Sequence, residues 1–202
     1  VTPTEAAVLL EGPTGSGKEL FAQAIHRASP RRSKPFVAVN CSALPRELME
    51  SELFGYRRGA FTGAHADKKG LFEEASGGTL FLDEIGELEG GAQAKLLRAL
   101  ETQEFTKLGD TKLTRVNVRI VAATNRNLKQ EADEGRFRPD LYYRLSVVMI
   151  PVPPLSARSG DLRALIDHFA QHFAAKLRQR PLTITPAALR ALETYPWPGN
   201  VR

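Results

Sequence analysis

A single cysteine, Cys41, in a chain of 202 residues excludes an internal disulfide and suits a reducing compartment, so a cytoplasmic location is expected. No apolar run approaches the roughly 20 residues of a membrane-spanning helix, and no leader of the secretory type opens the chain, so no membrane partner is expected. Internal repeats and low-complexity tracts are absent too, which removes solenoids and flexible arrays from consideration. An excess of one charge is small. The 28 Lys and Arg against 23 Asp and Glu leave +5, which suits an anionic ligand and argues only weakly for nucleic acid. The basic residues are scattered in small groups (Arg31, Arg32, Lys34; Arg57, Arg58; Lys68, Lys69; Arg178, Arg180), as on a solvated surface. What remains is a chain of ordinary globular composition, long enough to bury a full core. Its first strand starts almost at once and it stops on Arg202 near a helix start, as an excised domain would.

One stretch organises the rest. The apolar run Ala6-Ala7-Val8-Leu9-Leu10 leads into Glu11-Gly12-Pro13-Thr14-Gly15-Ser16-Gly17-Lys18-Glu19, and Leu20 to Ile25 reads as a helix. Strand, glycine-rich turn, lysine, helix is the context of a phosphate-binding P-loop. Glycines let successive backbone N–H groups turn inward on an anion, and the helix start adds its dipole. The nucleotide-binding set is then Gly12, Pro13, Thr14, Gly15, Ser16, Gly17, Lys18, Glu19 and Leu20, with Lys18 reaching the β- and γ-phosphates of ATP. The bland alternative is a plain glycine turn. The hydroxyl that usually follows the lysine as a magnesium ligand is missing, because Glu19 stands there, so Mg2+ has to be held elsewhere.

Five apolar, β-rich runs, Ala7–Glu11, Phe36–Asn40, Thr79–Asp83, Val118–Thr124 and Val147–Val152, alternate with helical patterns. This predicts an α/β fold, a parallel five-stranded sheet flanked by helices. The third run ends in Asp83-Glu84, the acidic partner a P-loop requires: Asp83 for magnesium, directly or through water, and Glu84 to polarise an attacking water. Capping of the next helix is the simpler role for such a pair. Strand ends also place Asn40, Cys41, Thr124 and Asn125 at the ligand side of the sheet. Cys41 reads as a small buried residue, and Thr124-Asn125 either touches the γ-phosphate or merely ends a strand. Glu47–Gly55 reads as a short helix, Ala92–Glu101 as an amphipathic one and Phe105–Arg115 as a hairpin turning at Gly109-Asp110.

Gly59-Ala60-Phe61-Thr62-Gly63-Ala64 suits neither helix nor strand. A tight loop there exposes Phe61 to a partner, unless the ring folds back into the core. Arg138 and Arg144 are either basic surface or, presented to a neighbouring subunit, stabilisers of transition-state charge. Val152-Pro153-Pro154 closes the sheet, which divides the chain into residues 1–153 and a helical 154–202. In the latter Leu162, Leu165, Ile166, Phe169, Phe173 and Leu177 form one apolar face, and Thr185-Pro186 starts a second helix. His168 and His172 share a metal-compatible spacing but have no third ligand, so surface or core histidines are expected.

Together these stretches resemble the central AAA+ ATPase domain of bacterial enhancer-binding proteins, the NtrC-like activators of sigma-54 RNA polymerase. The likeness runs from Ala7 to Arg202 and is carried most specifically by the GAFTGA sequence at Gly59–Ala64. Ser51-Glu52-Leu53-Phe54-Gly55, Gly78 to Leu88 and Gln93 to Arg98 carry it as well, and Glu19 after Lys18 is usual in that family. Pro13-Thr14 and Ser16 depart from its usual Glu-Ser and Thr. Glu89-Gly90-Gly91 replaces a proline-containing link, which is expected to loosen the start of the next helix.

The resemblance implies that Asn40 restrains Glu84 until the γ-phosphate is sensed, and that Thr124 and Asn125 form sensor I. It also implies that Arg138 and Arg144 act in trans and that Arg202 is sensor II, closing a small α-helical lid. It places the P-loop strand between the fifth and fourth strands, with Lys18, Glu84 and Asn125 in one cleft, and the hairpin beneath the GAFTGA loop. Further implications are a ring, commonly a hexamer, and ATP-driven remodelling of the closed sigma-54 promoter complex into the open one. Promoter or enhancer DNA would be bound through a domain after Arg202, and a regulatory domain, of the two-component type among others, would precede Val1. Two other readings stand beside this one. An AAA+ nucleic-acid motor of the helicase type would be stimulated by single-stranded DNA. A nucleotide-gated binding module would have little use for the Asp83-Glu84 pair.

Overall fold

In the computed structural model, which describes residues 4–180 and 183–202, the elements follow one another as an α/β chain. Strand β1 (Val8–Glu11) leads to helix α1 (Lys18–Arg27), strand β2 (Phe36–Asn40), helix α2 (Arg46–Phe54) and two short strands, β3 (Gly55–Tyr56) and β4 (Lys68–Lys69). Helix α3 (Leu71–Glu74), strand β5 (Thr79–Asp83) and helix α4 (Gly90–Thr102) come next. Strands β6 (Glu104–Thr106), β7 (Leu113–Arg115) and β8 (Arg119–Thr124), helices α5 (Leu128–Asp133) and α6 (Pro139–Leu145) and strand β9 (Val148–Pro151) complete the sheet region. Helices α7 (Ser159–Leu177) and α8 (Pro186–Thr194) follow. The chain forms two compact units, one of residues up to Gly12 with 18–151, the other of 13–17 with 152–202.

The first unit is built on a five-stranded sheet in the order β2-β5-β8-β1-β9, with every pairing parallel. Burial follows position in the sheet. The central strand β8 is buried at every residue and β5 at its first four, whereas the edge strands β2 and β9 contain no buried residue. That contrast is what near-continuous apolar runs dictate for strands covered on both faces. The strand β1 that feeds the P-loop lies between β9 and β8, the fifth and fourth strands of the sheet, as the resemblance implied. The β8 and β9 strands each start one residue later than the apolar runs suggested, at Arg119 and Val148. Helix α4 begins at Gly90 and takes in both glycines of Glu89-Gly90-Gly91.

Beside the sheet, α2, α3 and the β6–β7 hairpin meet in an aromatic cluster. Phe54 stacks on Phe72 at 5.2 Å between ring centroids, and Phe105 tilts against both at 5.4 and 5.7 Å. All three rings are buried, and Lys95 lies over the Phe54 ring. Just beyond this cluster the backbones of Gly55 and Gly70 approach so closely that a Cβ on Gly70 would fall 2.4 Å from the Gly55 nitrogen. Only glycine fits there, and the pair closes the two limbs of the segment holding Gly59–Ala64.

In the second unit α7 carries the apolar face expected from its periodicity. Thr185 caps α8, its hydroxyl accepting a hydrogen bond from the Ala188 N–H. The α7 face lines an apolar cavity of about 380 Å³ with Leu155, Trp197 and Val201. Phe173 and Leu177 are exposed on it. His168 and His172 stack on the same helix, and no group of three or more metal-ligating side chains occurs among the described residues. No helix among them is long and apolar enough to cross a membrane.

The aromatic cluster generates a stability prediction. Phe105→Ala should cost about 3–5 kcal/mol, the range for truncating a fully buried ring, while Phe105→Leu should cost clearly less. Chemical denaturation of the two variants measures this, and equal stabilities would show that the rings are not packed as described.

Candidate functional site

Lys18 opens α1 and is 6% exposed. Its Nζ donates to the Gly12 carbonyl at 2.9 Å and lies 3.8 Å from Glu84 Oε1. The Gly12 N–H in turn donates to the Thr124 carbonyl at 3.1 Å, which ties the start of the P-loop to the end of β8. A lysine ammonium is rarely buried without partners, and the Gly12 carbonyl and the Glu84 carboxylate are among those of Lys18. Ser16 supplies a second sign of fit. It is 1% exposed, and its hydroxyl, in the middle of the loop, has no hydrogen-bond partner among the described residues.

Asp83 and Glu84 follow β5. Asp83 Oδ1 accepts the Glu84 N–H at 3.1 Å, and Glu84 turns into the left-handed region at φ 53°, ψ 49°. For a residue with a Cβ that conformation costs about 1–2 kcal/mol. It delivers the carboxylate to Asn125, whose N–H donates to Glu84 Oε2 at 3.1 Å. Lys18, Glu84 and Asn125 therefore share one cleft. Thr124 is fully buried, and its Oγ1 accepts the Arg126 N–H at 3.0 Å.

Asn40 pairs in register with Asp83 at the end of the neighbouring strand. Its Oδ1 accepts from both the N–H and the hydroxyl of Ser42, at 2.9 and 2.7 Å, and so caps the turn that follows β2. Here its oxygen holds Ser42, and Glu84 is held by Asn125 and Lys18 instead. Cys41 is buried, and burial, with the nearby Asp83 carboxylate adding to it, pushes the thiol up to about 12, far from reactive. Glu19 and Leu20 face outward on α1, Glu19 accepting from Gln23 at 3.3 Å. In the magnesium role, Asp83 offers a hard oxygen donor at the strand end. A metal that keeps most of its waters and takes phosphate oxygens needs no larger protein cage.

Arg138 caps α6, and its guanidinium forks onto Asp140 at 3.0 and 2.7 Å. That pairing raises the pKa of Arg138 and lowers that of Asp140. The Arg144 guanidinium donates to the Leu100 carbonyl at 3.2 Å, and both arginines are exposed. Arg136, the third arginine of this stretch, is held by Glu131 and Glu134.

The Gly59–Ala64 segment is a tight turn. The Gly59 N–H donates to the Ala64 carbonyl at 2.8 Å and the Ala64 N–H to the Phe61 carbonyl at 3.0 Å, with Gly59 and Gly63 both at positive φ. Phe61 does not fold back into the core. Its ring rests edge-on against Tyr56 at 4.9 Å and keeps 38% of its surface exposed. The β6–β7 hairpin lies directly against the turn. The Leu108 N–H donates to the Gly55 carbonyl, the Arg57 N–H to the Leu108 carbonyl, and Gly109 packs on Ala60. An ion pair absent from the sequence reading joins them: the Arg57 guanidinium binds Asp110 of the hairpin at 2.7 Å and also Asp67 of the returning limb.

In the second unit the P-loop residues 13–17 pack with the end of the chain. Trp197 and Asn200 are in the left-handed region, which turns Gly199 against Gly15 so closely that a Cβ there would meet the Gly199 carbonyl at 2.4 Å. Arg202 follows at the same point, its Cβ 3.2 Å from that position.

A parallel sheet in this order, with a P-loop leaving a central strand, an acidic pair ending the next but one and a helical lid, defines an AAA+ nucleotide-binding domain. Residues 1–151 match the family described as Sigma-54 interaction domain, and 156–202 match the AAA+ ATPase lid domain. The chain belongs to the sigma-54 interaction domain family of AAA+ ATPases. It is 54% identical over its full length to the Nif-specific regulatory protein of Azotobacter vinelandii, covering 38% of that protein. To the nitric oxide reductase transcription regulator NorR2 of Cupriavidus necator it is likewise 54% identical over its full length, covering 39% of the relative. NtrX from Brucella abortus, solved in complex with ADP, superposes with a TM-score of 0.92 at 42% identity, over all of this chain and 44% of that one. The chain thus spans about two-fifths of the length of the curated relatives it matches.

The left-handed turn at Glu84 can be tested directly. Glu84→Gly and Glu84→Ala both remove the carboxylate, yet the glycine variant should be the more stable by about 1 kcal/mol, because only it adopts φ 53° without strain. Denaturant melts of the pair measure the difference, and an alanine variant at least as stable would show the backbone to be relaxed.

Proposed function

We propose that this chain is the ATP-hydrolysing motor of a sigma-54-dependent transcriptional activator, working in a ring and converting the closed promoter complex of sigma-54 RNA polymerase into the open one. The observation that carries this reading is that one compact unit holds both a Lys18–Glu84–Asn125 cleft and a hairpin-backed turn presenting Phe61. NtrX, whose fold this chain shares, has been solved with ADP and with ATP.

Substrate phosphates are held by the backbone of Gly12–Gly17 and by Lys18, whose buried ammonium replaces its weak contact to Glu84 with a full counter-charge. Asp83 would hold magnesium, directly or through water, and the ion would supply positive charge against the phosphates. Glu84 orients the attacking water and accepts its proton. The Asn125 N–H holds one carboxylate oxygen, leaving the other to work. Asn40 lies one strand over, beside Asp83, and restrains Glu84 once its own grip on Ser42 is released. Thr124 and Asn125, joined through the backbone to Gly12 and Glu84, register the state of the γ-phosphate. Arg138 and Arg144, exposed on α6, serve the site of a neighbouring subunit, and Arg202 serves the site from the lid. Promoter DNA is bound by a separate domain of the full-length activator. The Gly59–Ala64 turn with Phe61 and Thr62 is the contact for sigma-54, and the Arg57 ion pairs make it move with the hairpin.

Two outcomes are expected. Lys18→Ala should lose measurable nucleotide binding, whereas Glu84→Gln should bind ATP and turn it over at least about a hundredfold more slowly, the scale for losing a positioned base. Calorimetry with single-turnover kinetics checks both, and near-normal turnover in Glu84→Gln would move water activation elsewhere. Phe61→Ala and Thr62→Ala should keep wild-type affinity for ADP yet fail to shift sigma-54 on a native gel with a transition-state mimic. An aromatic anchor at an interface contributes roughly 2 kcal/mol or more, enough to lose a transient complex. Full capture by Phe61→Ala would mean that this turn is not the contact.

A further inference from the structure

Within the second unit, three consecutive carbonyls of the P-loop each receive a hydrogen bond from the helical segment. Asn200 Nδ2 donates to the Thr14 carbonyl at 2.9 Å, the Val201 N–H to the Gly15 carbonyl at 3.0 Å, and Arg158 Nη2 to the Ser16 carbonyl at 2.8 Å. The donors are themselves built in. Asn200 is 8% exposed, and its Oδ1 accepts the Leu155 N–H at 2.8 Å. With a backbone N–H on one side and a carbonyl on the other, only one orientation of that amide satisfies both neighbours. The Arg158 side chain is 14% exposed, and Nη1 pairs with Asp161 at 3.6 Å.

In a trans peptide the C=O of one residue and the N–H of the next point in opposite directions. Holding the carbonyls of residues 14, 15 and 16 against the helical segment therefore turns the N–H groups of 15, 16 and 17 away from it. The Ser16 N–H closes the turn on the Pro13 carbonyl at 3.2 Å, and those of Gly15 and Gly17 are set by the flanking peptide planes. A loop rich in glycine has many alternatives to this arrangement, and an anion nest exists only when its N–H groups converge. We infer that Arg158 and Asn200 are positioning residues of the phosphate-binding loop, fixing from behind the two peptide planes that aim the Gly15 and Gly17 N–H groups at the phosphates. The inference rests on reading Gly12–Lys18 as a phosphate cradle. It assigns to the helical segment a part in binding the di- and triphosphate itself, distinct from any contact that Arg202 makes.

Two variants remove the donors with little change of shape. Arg158→Met keeps the aliphatic stem, and Asn200→Asp keeps the acceptor for the Leu155 N–H and tolerates the left-handed backbone while setting an oxygen against the Thr14 carbonyl. Calorimetry without turnover should show affinity for ADP reduced about fivefold in Arg158→Met and about tenfold or more in Asn200→Asp. Pyrophosphate, which has no base or ribose, should lose affinity by the same factors, and Arg158→Lys should recover part of the loss. In the ligand-free protein the amide resonances of Gly15 and Gly17 should move or broaden in Arg158→Met while the thermal midpoint stays close to wild type. Unchanged ADP affinity in folded Arg158→Met overturns the inference, and so does a loss for ADP that pyrophosphate does not share. If Asn200→Asp does not fold, Arg158→Met and its lysine counterpart decide. Lys18→Ala separates the two levels: should it bind ADP normally, the cradle reading itself fails, whereas its failure to bind beside normal binding by the other variants rejects only the positioning roles.

Discussion

A lysine ammonium held almost out of solvent is the constraint on which the rest of this domain depends. Lys18 has its charge at the head of α1, where the helix dipole is already positive, so its burial is unfavourable twice over. The Gly12 carbonyl and the more distant Glu84 carboxylate offset part of that cost. Each depends in turn on another strand: Gly12 on Thr124 at the end of β8, and Glu84 on Asn125 one residue further on. The parallel sheet serves the lysine by bringing three strand ends to one place.

Much of this was legible in the sequence because the signals were local and periodic. Continuous apolar runs marked the strands at Val8–Glu11, Phe36–Asn40 and Thr79–Asp83 to within a residue, and in the interior strands β1 and β5 the reason is burial on both faces. Spacing between glycines and Lys18 marked the loop, and the family likeness supplied the strand order that sets Lys18, Glu84 and Asn125 together. The Phe61 turn showed itself by composition, as a segment that neither helix nor strand would accept.

What stayed hidden was set by tertiary contacts. Nothing in Asp83-Glu84-Ile85 announces a left-handed glutamate, because glycine, asparagine and aspartate are the residues that usually signal one. Arg57 looked like one of several scattered basic residues until the fold brought Asp67 and Asp110 to it from two other segments. Periodicity suggested α7 as an apolar face and could not say that Phe173 and Leu177 would be left exposed along it. The glycines at the start of α4 read as a weak point on propensity alone, and the sequence did not show that the helix would take both of them in ahead of its buried Ala92, Leu96 and Leu100.

The strand order has a consequence for how the chain acquires its shape. Strand β1 is made first, but both its neighbours come late: Val8 pairs with Val121 on one side and with Val148 on the other. Pairings so distant along the chain form slowly, because closing the intervening loop costs entropy before any contact repays it. The segment β2 to β5 can pair as it emerges, while β1 waits as an apolar strand with two open edges. During synthesis the domain therefore has no assembled site until β8 has left the ribosome, and β1, which keeps one open edge until β9 follows, is the stretch most in need of protection from aggregation in that interval.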